Sequence, residues 1–134
     1  MLDLKVAEKR RIAEGIWLFD LVHPEGKDLP AFTAGGHIPV RTPSGAMRHY
    51  SLSNNPSEQH RYQIAVKHEP ESRGGSRSMV EDTAVGDLLS VEEPGNDFPL
   101  GDAPDYLLIA GGIGITPILA MARQLTDQGK SFHL

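Results

Sequence analysis

Short runs of alternating apolar and polar residues fill the first two thirds of the chain. Leu2, Leu4 and Val6 form one such run, and Trp17 and Phe19 belong to a second. Alternation with a period of two predicts strands with one buried face, so core packing is the expected role of these side chains. Turn residues bound further short segments, which predict strands at 36–40, 48–53, 62–68 and 87–93. This spacing predicts a mainly β domain, either a small antiparallel barrel or a sandwich.

The pattern changes near residue 105. The segment 105–110 contains the continuous apolar run Y-L-L-I-A at 106–110, as buried parallel strands do, and a glycine-rich turn follows. Thr116 then fits a helix N-cap, with Pro117 at the first helical position and Gly129 as the C-terminal stop. Four residues mark the apolar face of this helix: Ile118, Met121, Ala122 and Leu125. A strand is predicted at 131–134, which makes the whole segment the opening of a parallel α/β unit.

The chain is expected to contain two domains of unequal completeness. Its 134 residues suffice for one domain, and one crossover unit cannot bury a parallel sheet alone. Residues 1–101 are therefore predicted to form the barrel. Residues 102–134 are predicted to be the N-terminal fragment of an α/β nucleotide-binding domain. Glycine, aspartate and proline cluster at this boundary. Because the α/β unit is incomplete, the sequence is expected to be truncated.

Composition excludes several classes of function. The formal net charge of −5 argues against general affinity for nucleic acid, whose binding depends on phosphate neutralisation. The chain has no cysteine, so disulfides and cysteine-ligated iron–sulfur clusters are excluded within it. The six histidines are scattered without metal-ligand spacing, and no metal site is predicted. No apolar run reaches the roughly 20 residues of a membrane helix, and cytoplasmic location is the default expectation.

The segment 48–54 places several kinds of chemistry on one strand. Arg48 suits bidentate binding of a phosphate, and Tyr50 can form an aromatic wall for a ring. The Ser51 hydroxyl can both donate and accept a hydrogen bond, which matches a flavin N5 atom in both of its redox states. His49 is the histidine expected nearest a cofactor. A surface arginine beside a half-buried tyrosine is the simpler reading of the same segment.

A second candidate lies in the glycine-containing stretch 73–78. Gly74 and Gly75 allow close approach of an anion to the backbone, and Arg73 and Arg77 add charge. If Ser76 caps the helix predicted at 76–83, its N-terminus also favours a phosphate. A capping box at 78–81 would instead start the helix two residues later. A loop that binds no ligand is the alternative.

The third candidate is the turn 111–117, with the sequence G-G-I-G-I-T-P after a buried strand. A nucleotide pyrophosphate at the helix N-terminus fits this context. The G-x-G-x-x-G pattern is absent, because Pro117 occupies the place of its third glycine. A tight turn without a ligand is the alternative.

Taken together and in this order, the three segments resemble the ferredoxin–NADP reductase superfamily. Its R-x-Y-S motif matches Arg48, Tyr50 and Ser51, and its G-G-x-G-x-T-P motif matches 111–117. The likeness is strongest to the reductase subunits of phthalate dioxygenase and vanillate demethylase systems. Those share R-x-Y-S-L-x-N, I-A-V-K, R-G-G-S and N-x-F-P-L, which correspond to 48–54, 64–67, 73–76 and 96–100.

This resemblance implies a six-stranded Greek-key barrel that binds a flavin and accepts hydride at N5 from NADH or NADPH. It favours FMN over FAD because of Arg73. Electrons would pass to a [2Fe–2S] module, expected only in a full-length relative, and on to an oxygenase or ferredoxin-type partner. The implied catalytic residues are Ser51 and Thr116. The implied cofactor-binding residues are Arg48, His49, Tyr50, Ser51, Ala65, Val66, Lys67, Arg73, Gly74, Gly75, Ser76, Gly112, Gly114 and Thr116.

Two other readings stay open at the level of sequence. One is a non-redox barrel that binds a phosphate-bearing ligand, an oligonucleotide or a protein partner, although the acidic charge counts against an oligonucleotide. The other is a folded relic that has lost its cofactor. Both lack flavin, so a visible spectrum separates them from the reductase hypothesis.

Overall fold

The computed structural model describes residues 1–68, 74–97, 105–107 and 115–133. Six strands form one antiparallel sheet in the order β4-β3-β6-β1-β2-β5. The strands are β1 (Leu2–Ala13), β2 (Ile16–Val22), β3 (His37–Arg41), β4 (Met47–Ser51), β5 (Tyr62–Lys67) and β6 (Leu88–Val91). The sheet curls into a half-barrel, which confirms the predicted β fold.

β1 is the central strand of this barrel. It pairs with β2 through a hairpin. It also pairs with β6, which is distant in sequence, and there Leu2 lies opposite Val91. Gly15 closes the hairpin with a φ of 70°, a left-handed conformation that favours glycine. The observed β1 extends well beyond the alternating run at residues 2–6, because its second half pairs with β2.

The core lies inside the curl of the sheet and follows the predicted alternation. Phe19 and Leu21 are fully buried, and Trp17 packs against their cluster while remaining partly exposed. The outer face of β2 is also buried at Leu18 and Asp20, which alternation alone does not predict. β2 is thus covered on both faces over this stretch, although an antiparallel sheet commonly leaves one face in water.

A short helix, α1 (Gly75–Glu81), follows β5. The prediction that Ser76 or Ser78 caps it is wrong, because Gly74 is the N-cap and makes no side-chain capping bond. A glycine N-cap in the left-handed region starts the helix earlier than either serine could. The Lys9 ammonium from β1 donates to the carbonyls of Val80 and Thr83 and satisfies the helix C-terminus.

A longer helix, α2 (Ile115–Asp127), lies between two short parallel strands, β7 (Asp105–Leu107) and β8 (Ser131–His133). The helix begins at Ile115, so Thr116 is not the N-cap and lies within the first turn. Pro117 still fits, because N–H groups of the first turn have no partner inside a helix. Gly129 ends the helix as predicted: Lys130 N–H donates to Leu125 O and Gly129 N–H to Thr126 O.

The predicted apolar face of α2 is confirmed, with Ile118, Met121 and Leu125 buried. Ala34, from the loop before β3, packs in the same cluster and brings the helix onto the barrel. Neither helix in the described part of the chain is long and apolar enough to cross a membrane.

Candidate functional site

β4 and β5 are the two edges of the sheet, and they meet on the open side of the barrel. They touch at a bridge between Leu52 and Ile64, where Ser53 N–H also donates to Gln63 O at 2.8 Å. Within the described residues no ladder joins 48–51 to 65–67, so the edges diverge into a gap that we call the seam. Edges of this kind present backbone donors and acceptors to a ligand. α1 packs against both strands at the seam.

The Arg48 side chain lies directly over the start of α1. A Cβ atom on Gly75 would stand 2.7 Å from Arg48 Nε and 3.1 Å from Arg48 Cζ, so glycine is required for this approach. Gly74 turns the chain at this point with a φ of 99°. One guanidinium N–H donates to the Met47 carbonyl at 2.9 Å. A guanidinium has five N–H donors, and those of Arg48 that have no partner among the described residues suit a planar or tetrahedral anion.

Tyr50 is buried beside this arginine, and its hydroxyl has no hydrogen-bond partner among the described residues. Burial raises the pKa of the Tyr50 phenol, and the Ser76 side chain and the Arg48 guanidinium both reduce that shift. Ser76 is therefore close by, although the pair does not reach hydrogen-bond geometry. A buried hydroxyl without a partner is uncommon and calls for a ligand, water or ion.

Arg48, Tyr50, Gly74, Gly75 and Ser76 form what we call the Arg48 cluster. Sequence analysis named all five residues, and the structure brings them together at one end of the seam. Arg77 was predicted to add charge to this cluster, but its Nε instead donates to Glu81 Oε2 at 2.6 Å along the helix surface.

Two serines fix the position of the cluster through contacts that the sequence analysis did not predict. Ser78 Oγ donates to Gly75 O at 2.8 Å and accepts from Ser44 N–H at 3.2 Å, which ties the turn before β4 to α1. Serine inside a short helix carries no signal of such a contact, so only the three-dimensional structure shows it.

Ser51 is half-buried on β4, opposite His37 on β3. His49 is exposed, and its ring stacks on the His37 ring with 5.0 Å between centroids. His37 was not among the predicted site residues. The stacking places the His49 ring against β3.

The end of β5 carries the cofactor-binding residues that the resemblance implied on this strand. Ala65 and Val66 are buried, and Lys67 is exposed at the strand end. Their backbone lies along the seam edge opposite β4. Ile64 and Val66 point into the core, so the backbone is the part of Val66 that a ligand in the seam would meet.

Four other predicted site residues fall wholly or partly outside the described structure. Arg73, Gly112 and Gly114 lie outside the described residues, and for Thr116 only the backbone position in α2 is described. Within the described ranges, no group of three His, Asp or Glu side chains that could hold a metal ion occurs.

Comparison with known proteins identifies the barrel. Residues 3–99 match the family described as the oxidoreductase FAD-binding domain. The chain is 56% identical over 123 residues to the phthalate 4,5-dioxygenase oxygenase reductase subunit of Pseudomonas putida, covering 91% of this chain and 38% of that protein. It is 50% identical over 135 residues to the phthalate dioxygenase reductase of Burkholderia cepacia, covering 99% and 42%.

A solved structure gives the same result. The phthalate dioxygenase reductase structure, described as modular and transferring electrons from pyridine nucleotides to [2Fe–2S], superposes with a TM-score of 0.96 at 50% identity. The match covers 98% of this chain and 41% of that one. The chain thus spans about two fifths of the length of these relatives. By its sequence and its fold, the chain belongs to the oxidoreductase FAD-binding domain family.

Proposed function

We propose that this chain binds a flavin mononucleotide in the seam and serves in a reductase that takes electrons from NADH or NADPH. The electrons would leave for a [2Fe–2S] module or ferredoxin-type protein that supplies an aromatic-ring oxygenase or demethylase. The observation that carries this proposal is the Arg48 cluster, a cationic group at the open edge of the barrel whose buried Tyr50 hydroxyl has no partner among the described residues.

The phosphate end of the site fits the flavin well. Arg48 would neutralise the phosphate through charge-assisted hydrogen bonds, and Gly75 leaves room for that side chain. The Tyr50 hydroxyl would gain the partner it lacks, and the Ser76 hydroxyl and the Gly74 backbone border the same space. Arg73 is proposed to add a second cation, by its resemblance to the R-G-G-S element of related reductases.

The ring end of the site is proposed to lie between β4 and β5. The backbone of Ala65, Val66 and Lys67 would hold the ring edge, with Tyr50 and His49 bordering it from β4. The Ser51 hydroxyl would face N5 and keep its hydrogen bond by donating in one redox state and accepting in the other. Bound flavin supplies the conversion of a two-electron hydride into single electrons, which no side chain can perform.

The nicotinamide side is proposed to involve α2 and the turn before it. Gly112 and Gly114 would lie beside the dinucleotide, and Thr116 near the nicotinamide ring. The part of the relatives that this chain does not cover would complete the nucleotide site and carry the iron–sulfur module. Cytoplasmic location and the domain boundary at residue 101 stay predictions from the sequence.

FMN is proposed rather than FAD because the stretch 73–76 is similar to that of reductases that use FMN. We expect the purified chain, or the chain incubated with FMN, to show flavin absorption in the visible range. Mass spectrometry of the ligand released on denaturation should then give the mass of FMN. Release of FAD would overturn the choice of flavin. A chain that stays colourless with both flavins would overturn the proposed function.

A further inference from the structure

A second polar group lies on the outer face of the barrel, on the side covered by α2. The Asp20 carboxylate is buried, and it accepts hydrogen bonds from Arg61 Nη1 and Gln63 Nε2, each at 3.1 Å. Asp20 and Gln63 are directly opposed on β2 and β5. A carboxylate only accepts hydrogen bonds, so the Gln63 amide must turn its Nε2 donor toward Asp20.

This orientation determines what Gln63 presents to its other neighbours. With Nε2 turned to Asp20, the amide oxygen Oε1 faces outward as an acceptor. Ser53 Oγ donates to it at 3.1 Å and Arg123 Nη1 at 3.2 Å. Arg123 is on α2. By orienting the Gln63 amide, the Asp20 carboxylate on β2 therefore determines that Arg123 meets the amide oxygen.

Arg123 makes two further contacts with the segment that follows β4. Its Nη1 also donates to the Ser53 carbonyl, and its own backbone carbonyl accepts from Asn55 Nδ2 at 3.3 Å. We call Asp20, Ser53, Asn55, Gln63 and Arg123 the helix clamp. The apolar contact of Ala34 with α2 lies beside it and adds no directional constraint of its own.

The clamp joins the two pieces of chain that the proposed reaction must align. Ser53 is two residues beyond Ser51, the last residue of β4, which corresponds to about 7 Å of extended chain. Thr116 precedes Arg123 by seven residues, or about 10 Å along the helix axis. We propose that Arg123 is a positioning residue that sets the distance between the nicotinamide-bearing helix and the flavin-bearing strand. This inference rests on the proposed function for the identity of the two ligands.

Hydrogen exchange measured by mass spectrometry on the 134-residue chain without flavin tests the clamp itself. Arg123→Gln should raise exchange in α2 about tenfold, because it removes charge-assisted bonds that hold the helix to the barrel. Arg123→Lys keeps the charge and one donor direction, and should restore roughly half of the protection on a logarithmic scale. Exchange in the barrel strands should not change.

Arg10→Gln is the matched control. Arg10 lies in the same groove of about 370 Å³ between barrel and helix; it is exposed, and its side chain makes no hydrogen bond to any of the described residues. It loses the same charge and should leave α2 exchange unchanged. Unchanged exchange in Arg123→Gln, or an equal rise across the barrel, would overturn the clamp.

The positioning role needs a second readout on the chain loaded with FMN. Iodide quenching of flavin fluorescence should increase in Arg123→Gln while the FMN dissociation constant stays within about twofold, because the helix loosens over a site it does not build. Faster exchange with unchanged quenching would show that the helix is clamped away from the flavin, and would overturn the role. Failure of the chain to bind FMN would refute the proposed function and leave the exchange result intact.

Discussion

The helix clamp and the Arg48 cluster are both polar groups partly buried at the edges of the same barrel, and they differ in completeness. In the clamp, the buried carboxylate and amide have partners supplied by the protein. In the Arg48 cluster, the Tyr50 hydroxyl has no hydrogen-bond partner in the described part of the chain, and Arg48 donates one hydrogen bond to the Met47 carbonyl. Leaving a buried polar group unpaired costs free energy. This difference is what we expect if the clamp holds the fold together and the Arg48 cluster binds the proposed ligand.

Removing the arginine should break this contrast most strongly. Arg48→Ala should weaken FMN binding about 100-fold, because a phosphate would lose its charged partner in a partly buried site. Fluorescence titration with FMN measures the affinity. Arg41→Ala, on the exposed end of β3, removes an equal charge and should leave the affinity unchanged. Equal affinities for the Arg48 variant and the parent chain would contradict the proposed phosphate site.

Tyr62, a buried tyrosine outside the Arg48 cluster, extends the comparison to pH. Burial, together with the charge of Glu93, raises the pKa of Tyr62 to about 12. Above pH 10 the unfolded tyrosine ionises before the folded one, so stability is complete below pH 10 and declines up to pH 12. The loss should be up to about 2 kcal/mol. Urea unfolding across this range measures it, and Tyr62→Phe should flatten the decline.

Gly75→Ala tests whether the glycine serves the arginine. The new Cβ would stand 2.7 Å from Arg48 Nε, so the guanidinium must move and FMN affinity should fall about tenfold. Stability should not fall, because alanine is the better helix residue by about 1 kcal/mol. In the Arg48→Ala background the substitution should have no further effect on affinity. Additive losses would show that Gly75 acts without Arg48.

Tyr50→Phe should have the smallest effect on FMN affinity, and it should change affinity and stability in opposite directions or leave stability unchanged. It removes a hydroxyl without a partner, so the stability of the flavin-free chain should stay the same or rise, while FMN affinity falls severalfold. Tyr62→Phe is the control of opposite sign, because the Tyr62 hydroxyl already donates to the Pro30 carbonyl. It should lower stability and leave affinity unchanged. Thermal unfolding and FMN titration of both variants give the comparison.

Local sequence patterns predicted the fold because its determinants are local. Alternation at Leu2, Leu4 and Val6 defines the start of β1, and Gly129 ends α2 through backbone bonds that need only a left-handed residue. Helix starts were predicted less well, since Ser76 and Thr116 carry the side chains of caps while neighbouring residues begin the helices. A capping side chain shows what a residue can do, whereas the path of the preceding chain decides where the helix begins.

The candidate site divides in the same way. Arg48 and Tyr50 share one strand, so their neighbourhood could be predicted, and the resemblance brought Gly74 and Gly75 to them. The clamp could not be predicted, because Asp20, Gln63 and Arg123 meet only through strand register and helix docking. Nothing near any of these three residues in the sequence indicates the other two.

The pairing of β1 with β6 has a consequence for how the protein is made. Leu2 leaves the ribosome well before its partner Val91 is synthesised. Until then the β1–β2 hairpin exposes an apolar face and an unpaired edge, which are the features that promote aggregation of nascent chains. During this interval, chaperones or rapid translation would limit aggregation of the growing chain. We therefore expect that slow codons before β6 lower the yield of folded protein, because they lengthen the interval.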